Sequence, residues 1–105
     1  RILIVDDEPP ARARIKQLLA DVAAEVPASV VGEADRGPAA LDAADRLQPD
    51  VVLLDIHMPG MNGIEVARHL AARSQPPAIV FVTAYDEHAL EAFEVRALDY
   101  LLKPV

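Results

Sequence analysis

The sequence predicts an α/β domain built as a doubly wound parallel sheet, and three observations carry that reading. Short, nearly continuous aliphatic runs recur along the chain, helical periodicities of apolar residues fill the intervals, and Pro- or Gly-containing punctuation separates the two. A strand covered on both faces is apolar at successive residues, whereas a strand with one wet face alternates. Alternating strands and helices joined by right-handed crossovers then give one open sheet with helices on both sides.

The elements run in order along the chain. Ile2–Val5 reads as a first buried strand, and Ala11, Ile15, Leu18, Leu19 and Val22 form one apolar stripe of a helix that Pro9-Pro10 introduces. Residues 29–33 are only half apolar, which places this strand at an edge of the sheet. Gly37-Pro38 opens a second helix with Ala40, Leu41, Ala44 and Leu47 on its inner side; Pro10 and Pro38 both suit a first helical turn. After Pro49-Asp50 comes the aliphatic run Val51–Leu54. Pro59-Gly60 then leads to Asn62, a candidate cap for a helix striped by Gly63, Ala67, Leu70 and Ala71. Pro76-Pro77 precedes a strand at 79–83; Ala89, Leu90, Phe93 and Ala97 stripe a fourth helix, and a fifth strand occupies 100–102. The pattern is (βα)₄β without repeats, low-complexity tracts or linkers, so residues 1–105 are expected to form a single domain.

Composition bounds the function. A chain of 105 residues suits one domain and buries roughly two-thirds of its unfolded surface. Hydrophobic content of 52% with 26% charged residues describes a soluble globule, and no stretch has the ~20 apolar residues of a membrane span. No signal-peptide pattern opens the chain, and the absence of cysteine excludes disulfides and thiolate metal sites and fits a reducing cytoplasm. A net charge of −7 argues against direct nucleic-acid binding, which needs clustered Lys and Arg.

In an open α/β sheet, ligands bind outside the carboxyl ends of the strands, where strand order reverses. The residues at each strand's carboxyl end are therefore informative. The first strand ends in Asp6, Asp7 and Glu8, the middle one in Asp55, the fourth in Thr83, and the fifth runs into Lys103. Alone, Asp55 reads as a turn-initiating or capping aspartate; its companions at the same edge turn that reading around. Adjacent carboxylates raise one another's pKa unless a cation neutralises them. Oxygen donors without Cys favour a hard ion, Mg²⁺ or Mn²⁺, and Mg²⁺ takes about six oxygens, several of them from water and phosphate. A Lys and a hydroxyl are what a phosphoryl group needs: a point charge and a hydrogen-bond donor.

Four blocks, Val5-Asp6-Asp7-Glu8, Leu53-Leu54-Asp55-Ile56-His57-Met58-Pro59-Gly60-Met61-Asn62-Gly63, Val82-Thr83-Ala84 and Tyr100-Leu101-Leu102-Lys103-Pro104, together resemble the receiver domains of two-component response regulators. The resemblance runs from end to end, and the stretch from Thr83 to Phe93 is similar to receivers of LytTR-type regulators (the LytR/AlgR group). It implies a flavodoxin-like sheet of strand order 2-1-3-4-5. It further implies that Asp55 accepts a phosphoryl group from a sensor histidine kinase, forming an aspartyl phosphate. Asp6 and Asp7 would hold Mg²⁺ together with Asp55 and the backbone carbonyl of His57; Lys103 and Thr83 would bind phosphoryl oxygens. Such a domain promotes only its own phosphorylation and dephosphorylation and is not a general enzyme.

The resemblance also implies a switch in which Thr83 moves toward the phosphoryl group and Tyr100 turns inward. That changes the surface of the fourth helix, fifth strand and following helix, where partners and homodimers form; Tyr100 as an ordinary half-buried strand aromatic stands beside this reading. His57 and Tyr85, each two residues beyond a site residue, would flank the phosphoryl group and set its lifetime. Glu8 reads as a helix-start acid, His69 and His88 as exposed, and Arg12, Arg14 and Arg36 as solvated charges, the first helix also being where kinases dock in such domains. The Lys103-Pro104 bond would be cis.

No Met precedes Arg1, which suggests a fragment, and two departures from the family pattern stand beside it. No fifth helix follows Lys103-Pro104, so the chain is expected to be trimmed or to pair with a copy through the apolar surface left on one side of the sheet, and no LytTR output domain follows. Three rival functions remain. A haloacid-dehalogenase-type phosphohydrolase would need its two aspartates in an Asp-x-Asp pair after one strand. A nucleotide-binding domain would need a Gly-rich phosphate loop, and neither G-x-G-x-x-G nor G-x-x-x-x-G-K-[ST] occurs. A receiver-like interaction module working without phosphate would not need all of Asp6, Asp7, Asp55, Thr83 and Lys103.

Overall fold

Strand β1 (Ile2–Val5) is buried at every position, as a strand flanked on both edges and covered on both faces must be. The computed structural model describes residues 1–85 and 89–103. His88, Pro104 and the Lys103–Pro104 peptide geometry lie outside the described residues, as do the side chains of Leu90 and Phe93. Helix α1 (Pro9–Asp21) follows β1, then β2 (Val30–Ala34), α2 (Gly37–Leu47), β3 (Val51–Leu54), α3 (Gly63–Ala71), β4 (Ala78–Thr83), α4 (Ala89–Glu94) and β5 (Asp99–Leu102). The five strands are parallel in the order β2-β1-β3-β4-β5, the doubly wound arrangement expected. The chain leaves β1 toward one edge to form β2, then returns to place β3 on the other side of β1. That reversal opens a crevice between the loops after β1 and β3.

Each strand presents alternate residues to the two faces. Leu3, Val5, Val52, Leu54, Ile79 and Phe81 point to one face and pack with Ala40, Ala43 and Ala44 of α2 and Ile64, Val66, Ala67 and Leu70 of α3. Ile2, Ile4 and Val82 point to the other, where Ile15 of α1 meets them and Val51, Leu53 and Val80 are only partly buried. β2 is an edge strand exposed or half-buried at every residue but Ala34, in accord with its half-apolar sequence.

The helix starts obey local chemistry. Pro occupies the first turn of both α1 and α2, where a missing N–H costs no helical bond. Asn62 caps α3 in a reciprocal box: its Oδ1 accepts from Glu65 N–H at 3.0 Å, and Glu65 Oε1 accepts from Asn62 N–H at 3.3 Å. Helix ends differ from the periodicity in three places. Val22 is exposed and terminates α1, Ala71 is exposed at the last position of α3, and Ala97 lies beyond α4. In the third case Arg96 adopts φ 59°, a left-handed residue that ends helical propagation. Strand limits shift by one residue, β2 ending at Ala34, β4 starting at Ala78 and β5 at Asp99.

Candidate functional site

Asp6, Asp55 and Thr83 are the buried polar residues of the described chain, at 1%, 5% and 0% exposure. All three lie at the carboxyl ends of β1, β3 and β4. The sheet carries them there: Asp6 N–H donates to Ala34 O at 3.0 Å and Asp55 N–H to Val5 O at 2.9 Å, so each carboxylate leaves the last rung of the ladder. Lys103, just past β5, is fixed by its own N–H donating to Thr83 O at 2.7 Å. Its side chain then crosses the crevice. Nζ donates to Asp6 Oδ2 at 2.8 Å and to Asp55 Oδ2 at 3.4 Å.

α3 presses on the same point from behind. Gly63 N–H donates to Ile56 O at 2.8 Å, and a Cβ on Gly63 would stand 2.1 Å from the carbonyl oxygen of Asp55. Only glycine permits that approach. The other oxygens are also held: Ile56 N–H donates to Asp55 Oδ1 at 2.8 Å and Glu8 N–H to Asp6 Oδ1 at 2.9 Å. Among the described residues, no buried side-chain nitrogen or oxygen lacks a partner.

The electrostatics result from this crowding. Desolvation first, and then the neighbouring Asp6 carboxylate, push the Asp55 pKa above the ordinary carboxylate value, although Lys103 and the Ile56 N–H oppose them. Burial works against the charge of Lys103, but its bonds to Asp6 and Asp55 outweigh burial and raise its pKa. Two acids therefore share one cation, and the site is short of positive charge.

The donor chemistry suits a hard divalent ion. Carboxylate oxygens of Asp6, Asp7 and Glu8 lie within 4.8 Å of one another, and Asp6 is joined to the Asp55 carboxylate through Lys103. Glu8 is thus both the residue preceding α1, without a side-chain capping bond, and a third oxygen donor beside the two aspartates.

The His57 and Tyr85 rings come together, with centroids 4.2 Å apart and planes inclined at 51°. Tyr85 N–H donates to Thr83 Oγ1 at 3.4 Å. The Tyr100 hydroxyl donates to the Tyr85 carbonyl, while its ring lies 6.1 Å from that of Phe81. Tyr85 is therefore tied both to Thr83 and to β5. His69 is exposed, as is Arg36, which pairs with Asp35 at 3.4 Å.

Arg12 departs from its reading as a solvated charge. Its Nη1 donates to the Asp6 carbonyl at 2.7 Å and its Nε to Glu33 Oε1 at 3.0 Å, with the side chain only 19% exposed. Apolar periodicity does not register such a contact. A basic residue one turn into a helix that follows an acidic run is the sequence signal for it, because helical side chains lean back toward the N-terminus.

Comparison with known proteins agrees with this geometry. The sequence profile of the response regulator receiver domain matches residues 2–105. The positive alginate biosynthesis regulatory protein of Pseudomonas aeruginosa is 50% identical over 104 residues, covering 99% of this chain and 41% of that protein. The sensory transduction protein LytT of Bacillus cereus is likewise 50% identical over 104 residues, again covering 99% of this chain and 41% of the relative. The chain thus spans about two-fifths of the length of these relatives. Among solved structures, the response regulatory domain of protein MrkE from Klebsiella pneumoniae superposes with a TM-score of 0.89 at 36% identity, covering 99% of this chain and 83% of that one.

Proposed function

Because the chain belongs to the response regulator receiver domains, with relatives in the LytTR-type group, we propose that it is a phosphorylation-controlled switch whose acceptor is Asp55. The observation that carries this reading is the reach of Lys103 to both Asp6 and Asp55 at the crevice mouth. In the proposed reaction an Asp55 carboxylate oxygen attacks phosphorus, the P–N bond of a kinase phosphohistidine breaks, and the imidazole leaves with its electron pair. Lys103 Nζ and the Thr83 hydroxyl hold phosphoryl oxygens, so the charge spread over the transition state meets fixed donors. Asp6 and Asp7, with Asp55 and the His57 carbonyl, would hold Mg²⁺ or Mn²⁺, which supplies the missing positive charge.

Modification of Asp55 adds negative charge and oxygens beside Thr83, drawing its hydroxyl inward and loosening the contacts that hold Tyr85 and Tyr100. The surface of α4 and β5 then changes, and with it the contact with an output domain of a longer chain or with a second copy. His57 and Tyr85 limit water access, so His57→Ala and Tyr85→Ala each speed dephosphorylation severalfold.

Mg²⁺-dependent labelling by a small acyl phosphate tests the reading, with Asp55→Ala as control. Stable incorporation on the wild type, absent from Asp55→Ala, supports it. No label indicates an interaction module independent of phosphate, and turnover of diverse phosphate esters indicates a hydrolase.

A further inference from the structure

The contact between α1 and the acidic loop has a geometry that a surface ion pair does not need. Arg12 lies one turn into α1, and its guanidinium leans back over the helix start to reach the carbonyl of Asp6 at 2.7 Å. The same fork is held from the other side by Glu33 of edge strand β2, at 3.0 Å from Nε. Lys16, on the next turn of α1, takes the second Glu33 oxygen at 2.9 Å. Glu33 is therefore held at both oxygens; the Lys16 hydrogen bond first, with Arg12 adding to it against the cost of burial, lowers its pKa and keeps it ionised.

The carbonyl that Arg12 grips belongs to the peptide joining Asp6 to Asp7. That unit is planar, so fixing its oxygen fixes the direction in which the chain enters Asp7. Asp6 is already placed by the sheet and by Lys103. The placement of Asp7 depends on the segments on either side of it. One is the peptide held by Arg12, and the other is anchored by the bond from Glu8 N–H to Asp6 Oδ1 at 2.9 Å.

We propose that Arg12, braced by Glu33, is a positioning residue for the divalent-cation loop, orienting the Asp6–Asp7 peptide so that the Asp7 carboxylate meets the ion with little rearrangement. The proposal rests on the proposed binding of Mg²⁺ by this loop. Lys cannot replace Arg here, because a single ammonium on a flexible stem does not span carbonyl and carboxylate as a planar fork does. Charge and geometry also predict opposite outcomes. The guanidinium is positive and repels a cation, so electrostatics alone would make its removal tighten Mg²⁺ binding, whereas loss of orientation weakens it.

The experiment is calorimetric Mg²⁺ titration of the unphosphorylated protein, wild type against Arg12→Lys, Arg12→Gln and Glu33→Gln, with amide chemical shifts of Asp7 and Glu8 followed by NMR. Arg12→Lys, which keeps the charge, is expected to weaken Mg²⁺ about tenfold, the lower range for residues that orient metal ligands. Arg12→Gln weakens it despite lowering the positive charge, and Asp7 and Glu8 amides shift in both variants before metal is added. Arg12→Lys and Arg12→Gln binding Mg²⁺ as tightly as wild type, or more so, overturns the proposal alone. A wild type that binds no Mg²⁺ overturns the underlying reading with it. Unchanged amide dispersion away from the loop shows that each variant is folded, and Glu33→Gln, which releases the brace without touching the loop, gives the same direction of change with a smaller fold-loss.

Discussion

The two faces of the sheet hold the same site by different physics. On the face covered by α2, α3 and α4, Val52, Leu54 and Phe81 are fully buried, and Gly63 lies so close to Asp55 that no Cβ fits. On the face covered by α1, Ile2, Ile4, Ile15 and Val82 are buried and Leu53 and Val80 half-buried, and the neighbouring restraints on the site are the long cationic side chains of Arg12 and Lys103. One face fixes backbone by close packing, which tolerates almost no change of volume. The other adds charge-assisted hydrogen bonds to its own small cluster, and these depend on salt and on a few rotamers. The proposed switch would use both: a rigid wall behind Asp55 and adjustable contacts in front of it.

Truncations in adjacent positions of β4 sharpen that contrast. Phe81→Ala is expected to cost about 3–5 kcal/mol, since it removes a fully buried ring and leaves a cavity against which Tyr100 also rests. Urea denaturation measures it, and a loss of under about 1 kcal/mol would remove the claim that this face is tightly packed. Gly63→Ala is expected next, at about 1–3 kcal/mol of overpacking, because the new methyl must displace α3 from the Asp55 carbonyl. Acyl-phosphate labelling should fall with it, since the displaced element is the back wall of the acceptor; a variant that is fully stable and fully labelled contradicts the wall. Val80→Ala, one residue from Phe81 but on the other face, should cost only about 1 kcal/mol. A Val80→Ala loss equal to that of Phe81→Ala would erase the difference between the faces.

The smallest effect is one of sign. The folded-state pKa of Asp55 lies above its unfolded value, chiefly through desolvation. The folded protein then binds that proton more tightly than the unfolded chain, and stability falls as pH rises from the unfolded pKa through the raised one. Without divalent cations, Asp55→Asn should therefore stabilise the domain at neutral pH, with the gain shrinking in acid. Thermal melts at both pH values check it, and a destabilised Asn variant at neutral pH would show that Lys103 more than offsets the burial of the charge.

Much of this was legible in the sequence because strands buried on both faces announce themselves, and because four of their ends carry polar residues that a core would not tolerate. Asp55 after Val51–Leu54 and Thr83 after the apolar 79–82 run are readable in that way. So was the cap of α3, which needs only Asn62 and Glu65 at the right separation to become a reciprocal box. Arg12 was not, since its partners lie 6 and 21 residues away, the farther on a strand whose neighbour is set by topology. Helix ends failed because backbone geometry stops a helix irrespective of side-chain polarity: Val22 is apolar yet exposed at the end of α1, and Ala97 packs against the core although α4 has already ended before Arg96.

The bond between Lys103 and Asp6 joins residues 97 apart in a chain of 105. All five strands of the sheet must therefore be assembled before those atoms meet. Non-local pairing of this kind is closed late in folding, after the loop entropy has been met. A chain still emerging from the ribosome, or one with β5 detached, has its aspartates but not the lysine. With Asp55 as the proposed acceptor, the topology of the sheet makes the complete site a property of the fully assembled domain.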